Sequence, residues 1–254
     1  MELIRSILLD TIPRLKHGFF YPGLNGGAQD NFSFRNGSKE YVLNARERAC
    51  GLLGIRHEHL THVYQEHGST IWNIGPAQLG AGAMNGEGQA GRGDAMIAQT
   101  PEIPLAILTA DCLPIFFAHG SGQVVGLTHA GWRGTVEAIA RKTVERLARD
   151  YGVAPGELFV WIGPGICGEC FEVGEDVWRI FEEAWGSVNA GFHLQRRAID
   201  LKEINRRQLV MAGVKEENIE TALQCTMCDH RFFSYRRDGP GIGHNLAVIQ
   251  RGRL

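Results

Sequence analysis

The sequence predicts a mixed α/β fold carried by a single domain, residues 1–254. Three observations lead there. Apolar, β-branched runs alternate with amphipathic helical stripes along the chain. The runs Ile115–Ala118 and Gln123–Thr128 are joined through Gly120-Ser121, where a glycine is free to take positive φ, so this pair is an antiparallel hairpin. No linker divides the chain, and 254 residues are enough for one large core. An antiparallel pair within a helix–strand alternation argues for a mixed sheet and against a purely parallel, doubly wound one.

The elements follow in order. Met1–Leu15 is an apolar start broken at Pro13, and His17-Gly18-Phe19-Phe20 begins a strand or loop. Pro22–Asn36 is rich in Gly and Asn and reads as loop. Ser38 caps a helix from about Lys39 to Leu53, with Val42, Ala45, Ala49 and Leu52 apolar and Gly54 as its stop. His62–Trp72 reads as a strand, Gly75–Gly93 as a Gly-rich mobile flap, and Asp94–Ala98 as the entry to a short strand. Ile103–Thr109 is a buried strand that Ile115–Ala118 continues. Thr135 caps the strongest helical stripe, Val136, Ile139, Ala140, Val144, Leu147 and Tyr151, which Gly152 ends. Leu158–Ile162 is a strand, and Val177, Phe181 and Trp185 mark a helix. Asp200 with Glu203 starts another helix that ends near Gly213, and Asn245–Gln250 closes the chain as a strand.

Composition narrows the function. Hydrophobic residues make up 44%, an ordinary globular share, and the net charge of −2 gives no basic field for nucleic acid or a membrane surface. With no apolar run of about 18 residues and no charged-then-apolar leader pattern, the expectation is a cytoplasmic protein. Six cysteines in that setting read as thiols or metal ligands rather than disulfides.

Chemistry concentrates between Ile103 and Tyr151. A hairpin centred on Gly120-Ser121 sets Cys112 opposite His129, and opposed strand residues have Cβ atoms about 4.5–5.5 Å apart. A thiolate and an imidazole at that separation can share one metal ion, with bonds of about 2.3 and 2.0–2.1 Å. Pro114 signals an edge or a bulge, which would move this register. Asp111 closes an apolar run, where a carboxylate is costly unless paired or ligating. After His129, Ala-Gly-Trp-Arg-Gly-Thr leads to a helix start at Thr135, whose free N–H groups suit an anion, with Arg133 as a bidentate phosphate contact.

His57, His59, His62 and His67 crowd one stretch, but Thr61 stands where a His-Glu-x-x-His helix would need its second histidine. The first three read as scattered loop histidines. Cys167-Gly-Glu-Cys170 and Cys225-Thr-Met-Cys228 are two Cys-x-x-Cys pairs separated by far more than the about 15–20 residues of a zinc ribbon. They make a four-cysteine zinc site if the fold brings them together and are unpaired thiols if it does not. The stretch Phe233–Gly239 mixes aromatics with Arg236-Arg237 and reads as an ordinary loop or as an anion or ribose contact.

Taken together, Gln-x-His-Gly at 65–68, Thr-Ala-Asp-Cys at 109–112, His-Ala-Gly-Trp-Arg-Gly-Thr at 129–135, Ile-Gly-Pro and Cys-Phe-Glu-Val-Gly within 162–174 and Phe-Phe-Ser-Tyr-Arg-Arg-Asp-Gly at 232–239 make the sequence resemble the laccase-domain family, long labelled polyphenol oxidase. The resemblance spans about residues 17–250. It implies layered β-sheets flanked by helices. It also implies a zinc-dependent purine nucleoside phosphorylase that takes phosphate with adenosine, inosine, guanosine or methylthioadenosine, and that deaminates adenosine. The implied metal ligands are His67, Cys112 and His129, so the resemblance adds His67 to the pair reached through the hairpin. Asp111 is then the candidate proton carrier and Arg133 the candidate phosphate contact. Two arginines usual in the family are absent, with Pro22 and His244 in their places. Copper in a phenol oxidase, a metal-free cysteine hydrolase built on Cys112 and His129, and a non-enzymatic relative of the fold are the competing readings.

Overall fold

The protein is described by a computed structural model covering residues 1–186, 191–193 and 196–253. Apolar, largely buried strands build two main sheets. The first joins β1 (Glu2–Ile4), β2 (Leu15–Tyr21), β12 (Asn245–Arg251) and β5 (Leu105–Thr109) in that order, all antiparallel. The second is mixed, in the order β11 (Ile219–Thr221), β8 (Leu158–Ile162), β6 (Leu113–His119), β7 (Val125–Ala130), β4 (Ala95–Ala98), β3 (Ile71–Ile74). Its outer pairs β11–β8 and β3–β4 are parallel and the inner ones antiparallel. A short hairpin, β9 (Phe192–His193) with β10 (Ala198–Ile199), lies apart.

The sheets stack face to face. Phe19, Ile107, Ala247 and Ile249 of the first meet Met96, Phe116, Leu127 and Trp161 of the second. Phe20, Leu246 and Val248 turn the other way, onto Ala45, Ala49 and Cys50 of α1 (Lys39–Leu52). Ile97, Ile115, Phe117 and Val160 cover the far side of the second sheet, beneath α3 (Ile139–Tyr151), α4 (Glu175–Trp185) and α5 (Leu201–Met211). The expected mixed α/β class is therefore met by two stacked sheets with helices outside them. The central strands β12, β6, β7 and β8 are buried on both faces, which is why they read as apolar runs. No helix among the described residues is long and apolar enough to cross a membrane.

Local signals hold at several ends. The Ser38 hydroxyl accepts the N–H of Tyr41 at 3.3 Å, and the Asp200 carboxylate accepts those of Lys202 and Glu203 at 2.9 and 3.1 Å. Gly152 ends α3 in the left-handed conformation.

Four expectations need correction. Ile103–Thr109 and Ile115–Ala118 are not one strand: β5 belongs to the first sheet and β6 to the second, with Asp111 at φ 89° in the crossing between them. His62–Trp72 is loop up to Thr70, and only Ile71–Ile74 is strand. Residues 75–93 are tied down rather than hanging free: His62 N–H reaches the Ala81 carbonyl, Tyr64 N–H reaches that of Gly91, each at 2.8 Å, and the buried Arg46 guanidinium holds that of Ala83 at 2.7 Å. Finally, Thr135 caps nothing. It lies inside α2 (Trp132–Val136), capped by Gly131, and Ala138 at φ 61° separates α2 from α3. Its hydroxyl accepts from Asn205 at 2.9 Å and its carbonyl from Gln208 at 2.7 Å, so it is locked to α5 and offers no anion site.

Candidate metal centre

The hairpin places His129 differently from the count. The loop is Gly120–Gln123, with positive φ at Gly122, and His119 N–H meets the Val124 carbonyl at 3.1 Å. Pro114, not Cys112, stands opposite His129, and Leu113 stands opposite Ala130. The slip is two residues along the ladder, which keeps each side chain on its own face. Cys112 therefore sits diagonal to His129, level with Gly131, and still on its side.

Gly131 makes the approach feasible. A Cβ there would stand 3.1 Å from both Cys112 Sγ and His67 Cδ2, and 3.7 Å from His129 Cε1. The glycine leaves room for three ligands to converge.

His67 arrives on the loop before β3. Gln65 docks that loop against the edge of β5, its side chain giving a 2.8 Å bond to the Leu108 carbonyl and accepting Leu108 N–H at 3.0 Å. This pair copies a ladder rung, and it accounts for the glutamine in Gln-x-His-Gly. His67 itself takes φ 62°, and the turn directs the N–H groups of Glu66, His67 and Gly68 at the Asp94 carboxylate, at 3.3, 3.0 and 2.7 Å. Such a concave run of N–H groups suits an anion. From the start of the neighbouring strand β4, the same carboxylate meets His129 Nδ1 at 2.8 Å.

His67, Cys112 and His129 thus present one N, one S and one N atom within 4.8 Å of one another. The two imidazole rings stand nearly perpendicular, at 85°. With His129 Nδ1 given to Asp94, Nε2 is left as the donor facing the group. Three convergent soft and borderline donors, an oriented tautomer and a glycine clearing the space fit a transition-metal ion.

The electrostatics fit as well. Burial pushes the Cys112 thiol up, but the facing His129 and His67 outweigh it and draw it well below its ordinary value. Burial alone would lower His129; the Cys112 sulfur and Asp94 raise it instead. Asp94 is buried, which would raise it, yet the hydrogen bond and charge of His129 and the N–H groups of Gly68 and His67 hold it below the usual carboxylate range. The site favours a thiolate, the form that binds metal.

The remaining expected residues are placed nearby with different surroundings. Asp111 is buried, its Oδ1 accepting from Thr226 Oγ1 and its Oδ2 from Arg236 N–H, both at 2.6 Å. Arg133 is exposed, lies over the Trp132 ring at 4.3 Å and makes no ion pair among the described residues. His244, where the family carries arginine, is pushed down to about 4 by burial, with Arg35, His129 and His67 facing it. Arg35 is exposed and likewise without an ion pair among the described residues. Sequence reasoning did not find Asp94 as a partner of the ligands. The only available signal was an acidic residue at the last step before a short strand.

Two stacked sheets flanked by helices, with a histidine–cysteine–histidine group at the crossing between them that could hold a metal ion, define a mixed α/β protein with a candidate metal centre. Residues 21–252 match the family model described as multi-copper polyphenol oxidoreductase laccase, and the chain belongs to that family. It is 34% identical over 219 residues to a protein of Geobacillus stearothermophilus named purine nucleoside phosphorylase YlmD, covering 83% of this chain and 78% of that one. It is also 34% identical to adenosine deaminase RL5 from an unknown prokaryotic organism, covering 83% of this chain and 82% of the other. The crystal structure of YlmD from Geobacillus stearothermophilus superposes with a TM-score of 0.89 at 30% identity, covering 96% of this chain and 94% of that one.

Proposed function

We propose that this protein is a zinc-dependent purine nucleoside phosphorylase, acting on adenosine, inosine, guanosine and methylthioadenosine, with adenosine deaminase activity. The observation that carries the proposal is the convergence of His67, Cys112 and His129 donor atoms within 4.8 Å, with Asp94 fixing one imidazole. The names of the relatives supply the substrate class. The free thiols fit a reducing, cytoplasmic setting.

His67, Cys112 and His129 would hold the ion, and three protein ligands leave a position for water or substrate, as at catalytic rather than structural zinc. A bound zinc supplies Lewis acidity and brings the pKa of a coordinated water towards about 7. In phosphorolysis a phosphate oxygen bonds to C1′ of the ribose while the glycosidic C–N bond breaks. The purine leaves with that electron pair and takes a proton. Arg133 and Arg35, exposed guanidiniums without carboxylate partners among the described residues, are the candidates to bind the phosphate. Asp111 is the candidate proton carrier. Because both its oxygens are engaged, it delivers a proton only by giving up Thr226 or Arg236, and it also holds the turn that carries Cys112.

Copper is the second reading, favoured by the description of the family. Against it, the described residues contain one histidine–cysteine–histidine group and one cysteine group, and no multi-histidine arrangement for several coppers. The test is incubation of metal-replete protein with adenosine, with and without phosphate. Adenine with ribose 1-phosphate, and hypoxanthine from deamination, are expected. No product would defeat the reading, and stoichiometric copper with oxygen uptake on a phenol would replace it. Cys112→Ala is expected to lose one equivalent of zinc and both activities while keeping its far-UV dichroism.

A further inference from the structure

Two Cys-x-x-Cys turns lie outside this centre, far apart in sequence and joined by topology. β8 and β11 are parallel neighbours, Ile162 beside Thr221, so both strands leave the sheet at the same end. A further bridge pairs Gly165 with Cys225, and Thr226 N–H donates to the Gly165 carbonyl at 3.2 Å. The two turns therefore meet. The sulfurs of Cys167, Cys170, Cys225 and Cys228 all lie within 4.8 Å of one another, and all four are free thiols. Sulfurs at the corners of a tetrahedron with bonds of about 2.3 Å stand roughly 3.8 Å apart, so little movement closes the set on an ion.

Backbone N–H groups already converge on one of the four sulfurs. The Cys225 sulfur accepts Cys167 N–H at 3.2 Å and a backbone hydrogen bond from Cys228. Such N–H donors neutralise and orient thiolate ligands. Four thiolates around a dication leave a net charge of −2, and two cations stand by without ion pairs among the described residues. Lys202, buried, donates to the carbonyls of Ala222 and Gln224 at 2.7 and 2.8 Å, on the stretch leading into Cys225. Arg236 grips the carbonyls of Cys170 and Glu172 at 3.3 and 2.8 Å.

We propose that Cys167, Cys170, Cys225 and Cys228 form a second metal site, a closed structural tetrathiolate that takes Zn²⁺. Its role follows from what it clamps. Thr226 sits between two of its ligands and donates to Asp111, which also accepts Arg236 N–H, and Asp111 precedes Cys112. The second ion would hold the 225–237 segment against the turn that carries a ligand of the first.

The test uses the full chain with Cys112→Ala, which removes the first site's thiolate, purified under reducing conditions. One zinc per chain is expected, with four sulfurs at about 2.3 Å in X-ray absorption. Adding Cys228→Ser, at the exposed ligand, should remove that zinc with far-UV dichroism unchanged. Should the double variant fail to fold, a mercurial titration of Cys112→Ala decides: release of one zinc as four thiols react supports the site. Absence of zinc from Cys112→Ala, zinc indifferent to Cys228→Ser, iron in its place, or two thiols blocked as a disulfide would each overturn the proposal.

Discussion

The Asp94 carboxylate bonds His129 Nδ1 at 2.8 Å and His67 N–H at 3.0 Å, so one buried anion orients two candidate ligands that come from different segments. A carboxylate behind a ligating histidine fixes its tautomer and raises its basicity, and losing one costs about 10–100-fold in metal affinity. Asp94→Asn keeps the size and removes the charge; its amide would also present N–H to the N–H groups of the 66–68 turn. Zinc affinity, measured by competition with a chromophoric chelator, is expected to fall by at least about tenfold. Wild-type affinity in this variant would remove Asp94 from that role.

Gly131 gives a steric test of the same site. Its φ of −74° is open to any residue, so alanine costs no backbone strain there, yet its Cβ would press on Cys112 Sγ and His67 Cδ2 at 3.1 Å. Gly131→Ala is expected to weaken metal binding with little change in melting temperature. A large loss of stability with metal binding intact would place the importance of this glycine in the fold rather than in the site.

Much of this was legible from local pattern. Ser38, Asp200, Gly152 and the strand Leu158–Ile162 stand where propensity and capping put them, because each depends on neighbours within a few residues. The pairing of Cys112 with His129 survived a wrong register because a two-residue slip preserves the face of a strand. What failed depended on long-range structure. An apolar run cannot reveal that β5 and β6 lie in different sheets, and the helical stripe runs straight through Ala138, whose left-handed conformation no glycine marks. Asp94 acquires its meaning only when β4 pairs with β7 and the 66–68 turn folds over it.

His17 supplies a pH dependence away from the site. It is fully buried against Phe116 and Trp161, and its Nε2 accepts Ser6 N–H at 3.0 Å, a bond that protonation of that nitrogen would destroy. Burial pushes it down from 6.5 to about 4, only partly offset by Asp10. Below pH 6.5 the unfolded chain takes a proton that the folded chain refuses. This contribution to stability is present above 6.5, falls as the pH drops towards 4 and levels off below. Between pH 7 and 5 the loss from this group is about 2 kcal/mol. Urea unfolding at the two pH values checks it against His17→Gln, whose amide oxygen can still accept Ser6 N–H; an equal pH slope in both proteins would exclude His17 as the source.

Substitution of Arg133 would separate the two proposed activities. It is exposed on α2, two residues beyond Gly131, and nothing anionic among the described residues claims its guanidinium. Phosphorolysis consumes phosphate, whereas deamination consumes water. A residue that binds phosphate should therefore matter to the first alone. Arg133→Ala is expected to raise KM for phosphate by about tenfold or more, the scale of one lost charge-assisted contact, with adenosine deamination unchanged. Arg133→Lys should recover part of the loss, since it restores the charge without the bidentate fork. Arg35→Ala, made in the same way, asks whether the guanidinium beside His244 shares the task. An equal fall in both activities on Arg133→Ala would mean that the residue acts through the packing of α2, and the phosphate contact would have to be sought elsewhere.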